Sequence, residues 1–181
     1  TSSSFYDSEW MFNINDGFDI VIGNPPYGVI NKKQNKGESV TVPPLVFKKY
    51  KELKKYKSAQ GGMLNIFRLF VVQSFYLLKR GGVFSEIFPL AFACDVSAYK
   101  LREFVQKECS IISLEAFPER DNPKKRVFEN AKISVCILTM LAKANKKCVF
   151  NLRINTDRFV DFAIESGQLS YSDINRMDSR Y

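Results

Sequence analysis

The sequence predicts an α/β fold whose sheet is mostly parallel and whose last strand is antiparallel. Short β-branched runs alternate with amphipathic helical stretches, the order expected when helices connect parallel strands. The predicted strands at 111–117 and 133–141 have no helix-length segment between them, and such neighbours pair antiparallel. A chain of 181 residues that is 45% hydrophobic and 14% aromatic can build the packed core that this fold needs.

The first strand is predicted at residues 19–22, a β-branched run bounded by two glycines. Pro25 and Pro26 end this strand abruptly, because proline fixes φ and keeps the preceding residue out of the α region. Residues 28–42 are rich in Asn, Lys, Gln, Gly and Ser, a composition typical of a loop. The strand is therefore expected to end in a stiff turn that leads into a loop.

Two helices are predicted next. Pro43-Pro44 opens an amphipathic helix that reaches about Leu53, with apolar residues on one face and lysines on the other. A more apolar helix is predicted from Met63 to Arg80, where basic residues and the following pair of glycines are typical of a C-terminal cap.

The rest of the chain continues the alternation and then loses it. The further predicted strands lie at 83–89, 111–117 and 133–141, and the further amphipathic helix lies at 96–107. After Cys148 the pattern weakens, and only a short strand at 149–154 and a helix at 156–165 are expected.

The composition excludes several reaction classes. The sequence contains no histidine, and Ser-His-Asp or Cys-His nucleophiles and His-ligated metal sites all need an imidazole, so no metal site is predicted. No apolar run approaches the ~18 residues that predict a membrane span. The cysteines contain no C-x-x-C pair and are expected to be reduced and buried in a cytoplasmic protein: Cys94, Cys109, Cys136 and Cys148.

Positive charge is concentrated in one stretch. The net charge is +8, and residues 32–57 contain nine lysines but only two acidic residues. Such an excess attracts polyanions over roughly 8 Å at physiological salt, which makes nucleic acid the leading partner class. A solvated helix face explains the same pattern equally well. The lysines interpreted as contacts to a DNA backbone are Lys32, Lys33, Lys36, Lys48, Lys49, Lys51 and Lys55.

The segment Asn24-Pro25-Pro26-Tyr27 carries the strongest chemical signal. A buried strand delivers it to the C-terminal end of an open α/β sheet, where such folds bind ligands. Its two prolines remove two N–H donors and stiffen the turn, which leaves carbonyl oxygens as hydrogen-bond acceptors beside an aromatic ring. Such a pocket suits an exocyclic amino group on a flat ring.

The chemistry of that match needs acceptors and no histidine. An amino nitrogen conjugated to a purine is a poor nucleophile, because its lone pair is delocalised into the ring. If Asn24 Oδ1 and the Pro25 carbonyl each accept one of its hydrogens, the nitrogen moves toward sp³ geometry. Attack on a sulfonium methyl group then requires only in-line positioning.

Residues 18–27 resemble motif IV of the adenine-N6 DNA methyltransferases of restriction-modification systems. The resemblance to the Taq-type γ class covers roughly residues 18–142, because further segments follow in the same order. These segments are LNIF at 64–67, LLKRGG at 77–82, LREF at 101–104 and VFENA at 127–131.

This resemblance implies the C-terminal half of a Rossmann-like, S-adenosylmethionine-dependent methyltransferase sheet. It implies that residues 24–27 form the methyl-transfer loop, that Asn24 also borders the cofactor, and that Tyr27 stacks on a flipped adenine. In this family a second aromatic residue holds the base from its other side. Phe128 matches that position, and Phe117 is the alternative because it also lies at a strand end.

The main cofactor motifs of that family are not found before the first strand. The family places a glycine-rich loop and acidic residues there, whereas residues 2–16 contain no such pattern. Residues 1–147 are therefore interpreted as the catalytic part of a methyltransferase domain that lacks its cofactor-binding strands. Residues 148–181 are interpreted as the end of the domain or as a linker toward a target-recognition region.

The chain is accordingly expected to be a fragment of a larger type II restriction or modification enzyme, inactive by itself. Its expected partners are double-stranded DNA and the rest of the parent polypeptide, with S-adenosylmethionine as cofactor and the bacterial or archaeal cytoplasm as location. Two other interpretations stay open. One is a DNA-binding or scaffold module with a relic loop, and the other is a methyltransferase acting on release-factor glutamine or ribosomal RNA guanine.

Overall fold

The computed structural model describes residues 8–31, 39–160 and 165–177. The strands are Phe18–Gly23 (β1), Val29–Asn31 (β2), Ser39–Thr41 (β3), Leu78–Pro89 (β4), Ser110–Phe117 (β5), Val135–Leu141 (β6), Val149–Ile154 (β7) and Ser166–Ser170 (β8). The helices are Ser8–Phe12 (α1), Pro44–Glu52 (α2), Ile66–Leu77 (α3), Ala91–Cys94 (α4), Tyr99–Glu108 (α5) and Tyr171–Met177 (α6). Lys54–Ala59 and Val96–Ala98 form 3-10 turns.

Six strands form one sheet in the order β1-β4-β6-β5-β7-β8. Four of them, β1, β4, β5 and β7, run in one direction, whereas β6 and β8 run in the other. β6 lies between β4 and β5 and pairs antiparallel with β5, from Phe117 opposite Val135 to Ser110 opposite Leu141. The prediction of a mostly parallel α/β sheet with these two strands as antiparallel neighbours is confirmed.

The second predicted helix ends earlier than the sequence indicates. α3 stops at Leu77, and the basic residues expected to cap it extend β4 instead. Pairing with β1 explains this difference, because Phe18 pairs with Leu78 at the very start of β4. The two segments approach so closely that a Cβ on Gly17, whose φ is +93°, would lie 2.7 Å from the Lys79 nitrogen.

The segment predicted as a loop at 28–42 contains regular structure. Its strands β2 and β3 pair in parallel as a separate two-stranded sheet. The backbone N–H of Ile66 donates to the Gly28 carbonyl at 3.0 Å, which ties the beginning of this segment to the start of α3. Residues 32–38 of the predicted loop lie outside the described residues.

The sheet continues beyond residue 148. The strand predicted at 149–154 is confirmed as β7, which pairs in parallel with β5. The helix predicted at 156–165 is wrong over residues 156–160, where 156–159 form bends, and residues 161–164 of that prediction lie outside the described residues. β8 and α6 were not predicted from the sequence. The extended path has a physical cause, since the N–H of Asn155 donates to the Ala116 carbonyl of β5 at 2.8 Å.

The hydrophobic core lies between the sheet and a helical layer that contains α3 and α5. Its largest fully buried side chains include Phe67, Phe84, Phe88 and Leu101. β1 is an edge strand, and its Ile20 and Ile22 side chains remain 58% and 78% exposed. The prediction that all four cysteines are buried is wrong for Cys94, which is exposed at the end of the short helix α4. Among the described residues, the helices are all too short or too polar to cross a membrane.

Candidate active site

The turn at residues 24–27 follows β1 directly, at the C-terminal end of the parallel strands. Gly23 pairs with Glu86, so the turn begins beside the last residues of β4. Pro25 is buried, whereas Asn24 is exposed. The buried proline thus anchors the turn, while the amide side chain of Asn24 lies at the surface.

The Tyr27 hydroxyl links this turn to β4. Its oxygen lies 3.0 Å from Asn24 Oδ1 and 3.0 Å from the Ile87 carbonyl oxygen. A phenol has one proton and donates to one of these acceptors at a time. Burial is the largest cause of the raised pKa of Tyr27, and Cys136 and Glu86 add to it only in their ionised forms. The hydroxyl therefore keeps its proton and can orient the Asn24 oxygen.

Acceptor oxygens are concentrated in this turn. The Asn24 side-chain oxygen has two lone pairs, so it can accept a second hydrogen bond while Tyr27 donates to it. Among the described residues, no hydrogen bond reaches the Pro25 carbonyl. An incoming donor with two hydrogens, such as an amino group, meets two acceptors held on a stiff backbone.

An open cleft of about 520 Å³ separates this turn from a second segment. Phe128 lies across from Tyr27, with a distance of 6.0 Å between the ring centroids and an angle of 65° between the ring planes. The walls of the cleft are Asn24, Pro25, Pro26 and Tyr27 on one side and Val127, Phe128, Glu129, Asn130 and Ala131 on the other. Two aromatic rings and an acceptor-rich turn therefore border the same space.

The two candidate phenylalanines occupy different environments. Phe128 is partly exposed and lines the cleft. Phe117 is only 4% exposed, because it pairs with Val135 inside the sheet and packs in the core. The structure thus brings Phe128, and not Phe117, against Tyr27.

Among the lysines interpreted as DNA contacts, those that the structure describes do not line the cleft. Lys48 and Lys49 are exposed on α2, where Lys48 lies 3.6 Å from Glu52. Lys51 lies over the Phe47 ring of the same helix at 5.3 Å. The first three predicted lysines, Lys32, Lys33 and Lys36, lie outside the described residues.

Lys55 lies far from the cleft. Its ammonium group lies 5.0 Å from the ring centroid of Tyr76, and partial burial lowers its pKa. Tyr76 follows Ile66 by ten residues, which corresponds to about 15 Å along α3 at 1.5 Å per residue. Because Ile66 is bonded to Gly28 just after the tetrapeptide, Lys55 lies near the opposite end of α3.

Sequence reasoning missed a buried carboxyl group beneath the turn. Glu86 is 3% exposed and its Oε1 accepts a 2.6 Å hydrogen bond from the Ser74 hydroxyl of α3. Its Oε2 has no hydrogen-bond partner among the described residues. Burial raises the pKa of Glu86, against the lowering effect of Ser74. In the sequence of β4, Glu86 alternates with Phe84 and Phe88 and so shares their buried face, and this spacing is the signal that could have identified it.

A second missed feature lies on the far wall of the cleft. Arg158, which follows β7, pairs with Glu129 of the segment that carries Phe128, and the Nη1–Oε1 distance is 2.6 Å. The two residues are separated by twenty-nine positions in sequence. No sequence pattern indicated this contact, because it depends on where β7 joins the sheet.

A mixed α/β sheet with an acceptor-rich turn at the end of β1 is the arrangement of the Rossmann-like methyltransferases. The structure is similar to the methyltransferase subunit of a type I restriction-modification system from Streptococcus thermophilus, with a TM-score of 0.61 at 15% identity over 96% of this chain and 39% of that chain. It is also similar to the type IIG restriction endonuclease BpuSI, with a TM-score of 0.57 at 14% identity over 87% and 20% of the two chains. These likenesses concern the fold.

The chain belongs to the Eco57I restriction-modification methylase family, whose model matches residues 2–122. It is 32% identical over 94 residues to the type II methyltransferase M.TthHB8I of Thermus thermophilus. That match covers 51% of this chain and 21% of the Thermus protein. The resemblance predicted from the tetrapeptide and the segments after it is thereby confirmed at the level of the family.

Proposed function

We propose that this chain supplies the methyl-accepting part of a restriction-modification DNA methyltransferase that modifies adenine at N6. The observation that carries this proposal is the cleft between Tyr27 and Phe128, with Asn24 and Pro25 on its wall. A flipped base between two rings, with its amino group on these acceptors, uses every feature of the cleft.

The residues of the turn would activate the amino group by hydrogen bonding. Asn24 Oδ1 and the Pro25 carbonyl each accept one hydrogen, which draws the nitrogen lone pair out of conjugation with the ring. The Tyr27 hydroxyl lies 3.0 Å from Asn24 Oδ1 and holds that oxygen in place by donating a hydrogen bond to it. S-adenosylmethionine supplies an electrophilic methyl group when it is bound, and the residues described here position the acceptor nitrogen for it.

The described residues fit only one side of a cofactor site. Asn24 is exposed next to the end of β1 and would border the methyl donor. The free edge of β1, with Ile20 and Ile22 exposed, is where preceding strands with a glycine-rich loop would pair. We therefore assign the remaining cofactor contacts to other segments of the parent polypeptide. β7 and β8 belong to the same sheet as β1, which the turn follows.

Double-stranded DNA is the proposed substrate, and the bacterial or archaeal cytoplasm is the proposed location. The net charge of +8 and the exposed lysines of α2 favour a polyanionic partner. The aromatic wall at Phe128 favours a base that leaves its duplex over a protein glutamine, because a glutamine side chain has no ring to stack on.

The test uses the complete polypeptide that carries this chain, expressed in a bacterial host without endogenous adenine methylation. We expect long-read sequencing to find N6-methyladenine at one DNA motif. Asn24→Ala should lower methylation by about 100-fold or more, the loss found when one preorganised polar group is removed from a reacting centre. Asn151→Ala, on the exposed side of β7, is the matched control and should retain full methylation.

Other results would replace the proposal by a specific alternative. Equal methylation by Asn24→Ala and the unmodified protein would remove the turn from the reaction. Transfer of a labelled methyl group to release-factor glutamine or to ribosomal RNA guanine, and not to DNA, would identify one of those enzyme classes. DNA binding without any transfer would identify a scaffold module with a relic loop.

A further inference from the structure

The segment that carries Phe128 is a compact turn held by polar contacts. We call residues 126–131 the Phe128 turn. Within it, the N–H of Ala131 donates to the Phe128 carbonyl at 3.1 Å, and the Arg126 guanidinium donates to the Glu129 carbonyl. Arg126 also donates to the Arg120 carbonyl at 3.3 Å. These contacts fold the turn on itself but do not fix it relative to the sheet.

Arg158 supplies a contact between the Phe128 turn and the sheet. Its Nη1 donates to Glu129 Oε1 at 2.6 Å, a short charge-assisted hydrogen bond. The Arg158 side chain is 33% exposed and stacks 5.2 Å from the Phe159 ring centroid, whereas Glu129 is 68% exposed. Arg158 is therefore the less exposed partner of the ion pair, and Glu129 is the more exposed one.

The backbone near Arg158 is fixed by a buried asparagine three residues before it. Asn155 is fully buried, and its N–H donates to the Ala116 carbonyl of β5 at 2.8 Å. Its side-chain Nδ2 lies 3.4 Å from the Ala116 oxygen and 3.4 Å from Glu115 Oε2. β5 and β7 run in the same direction as β1. Arg158 therefore lies at the same end of the sheet as Asn24, where the parallel strands finish.

We propose that Arg158 and Glu129 are a positioning pair that sets the Phe128 ring opposite Tyr27. This inference rests on the proposed function, in which a base enters between the two rings. Both residues lie beyond residue 122, where the match to the family model ends. The pair thus adds a determinant of base capture that belongs to the C-terminal part of this chain.

The geometry of the rings explains why their relative position matters. A planar base between two rings needs roughly 7 Å between them, twice a carbon contact distance of about 3.5 Å. Tyr27 and Phe128 are 6.0 Å apart and tilted by 65°. Phe128 must therefore shift by about 1 Å and turn when a base enters. An ion pair between two long side chains permits that shift while restricting the many other orientations of the turn.

The first experiment measures the Phe128 turn without DNA. Hydrogen-deuterium exchange of the complete polypeptide is compared between the unmodified protein, Arg158→Gln and Glu129→Gln. We expect amide exchange to become several-fold faster within residues 126–131 in both variants, with β6 unchanged. Arg176→Gln, which removes an arginine paired with Asp173 at 2.7 Å on α6, is the matched control and should leave the turn unchanged.

The second experiment measures base capture. The target adenine of the methylated motif is replaced by 2-aminopurine, whose fluorescence rises when the base leaves the stack. Arg158→Gln and Glu129→Gln should each lower this signal by about two- to fivefold, and should lower kcat on the duplex that keeps its adenine by a similar factor, as expected for a partly exposed ion pair. Affinity for the duplex should not change, Arg158→Lys should retain part of the signal, and the exchanged pair Arg158→Glu with Glu129→Arg should recover it.

The outcomes separate this inference from the proposed function. Normal fluorescence, normal kcat and normal exchange in both variants would refute the positioning pair. If Asn24→Ala still abolished methylation in the same experiments, the proposed function would stand. A loss of duplex affinity or of thermal stability equal to the loss of kcat would also refute it, because the pair would then be a general structural contact. Absence of methylation by the unmodified protein would overturn the proposed function and this inference with it, whatever the exchange data show.

Discussion

Tyr27 combines an aromatic face and a hydroxyl group that act on different parts of the cleft. The ring faces Phe128 across the cleft, whereas the hydroxyl lies between Asn24 Oδ1 and the Ile87 carbonyl at 3.0 Å from each. When an amino group donates one hydrogen to Asn24 Oδ1, the second lone pair of that oxygen can still accept the hydrogen bond from the Tyr27 hydroxyl. The tyrosine therefore serves as an orienting donor as well as a stacking surface.

Tyr27→Phe separates these two contributions. The variant keeps the ring but loses the donor that orients Asn24, so we expect kcat for methylation to fall by about two- to tenfold, the value of one net hydrogen bond. Duplex affinity should stay unchanged because the hydroxyl does not face the phosphate backbone. Single-turnover methylation and fluorescence anisotropy measure the two quantities.

A matched control removes a comparable hydroxyl elsewhere. Tyr56 donates to Gln73 at 2.7 Å, away from the cleft, so Tyr56→Phe should leave kcat unchanged. Equal kcat values for Tyr27→Phe and the unmodified protein would show that Asn24 needs no help from the hydroxyl.

The two phenylalanines illustrate what sequence could decide at this scale. The tetrapeptide was identified from sequence because its chemistry lies in consecutive residues. Phe128 precedes the strand predicted at 133–141 and Phe117 ends the strand predicted at 111–117, so sequence order left the choice between them open. In the structure, Phe117 is paired with Val135 inside the sheet, whereas Phe128 lines the cleft. Arg158 could not be predicted at all, because its contact is set by the path of the chain after β7.

At the scale of elements, strands with strong β-branched patterns were predicted well and short polar ones were not. β1, β5 and β6 were predicted nearly at their observed bounds because each contains adjacent β-branched or other apolar residues. The end of α3 was misplaced because Lys79 and Arg80 favour a helix terminus locally, whereas pairing with β1 makes them strand. β8 has the sequence SGQLS, which carries no alternation and depends on its pairing with β7.

The contact between α3 and β4 contains the buried Glu86, which gives this interface a pH dependence. Burial raises the pKa of Glu86 above its ordinary value of 4.5. A carboxyl group with a raised pKa in the folded state costs nothing at low pH, where it is neutral in both states. Its cost appears as the pH rises above the unfolded-state pKa, where the unfolded chain ionises first, and is complete once the pH passes the folded-state pKa.

Glu86→Gln tests this sign. The variant cannot ionise, so we expect its stability relative to the unmodified protein to increase as the pH rises above about 4.5 and then to level off. Ser74→Ala removes the 2.6 Å hydrogen bond to the carboxyl group. It should raise the folded-state pKa of Glu86 further, so that the levelling-off occurs at a higher pH. Thermal unfolding at a series of pH values measures the difference, and a difference that is constant or decreases with pH would contradict the assignment.

At the scale of the whole molecule, two surfaces are separated by the length of α3. The cleft lies at the C-terminal ends of the parallel strands, whereas Lys55 lies over Tyr76 near the other end of the helix. Lys55 therefore does not contribute its charge to the cleft. Lys48 and Lys49 on α2 remain exposed and available to a polyanion, while the lysines packed over aromatic rings are partly engaged.

Salt dependence distinguishes phosphate contacts from a merely solvated lysine face. Each lysine that neutralises a phosphate of duplex DNA releases counterions, which changes the slope of log K against log salt by about 0.9. The paired substitution Lys48→Gln with Lys49→Gln should therefore reduce the slope by up to about 1.8 if both lysines contact the backbone. Anisotropy titrations at several salt concentrations measure the slope.

The matched control changes the net charge by the same amount at a different place. Lys146 and Lys147 are exposed in the connection from β6 to β7, at the end of the sheet opposite to the cleft. Their substitution by glutamine should leave the slope nearly unchanged, because distant charges are screened beyond roughly 8 Å at physiological salt. Equal small changes for the two pairs would mean that α2 only contributes to the overall charge, and DNA would then have to be held by other segments of the parent polypeptide.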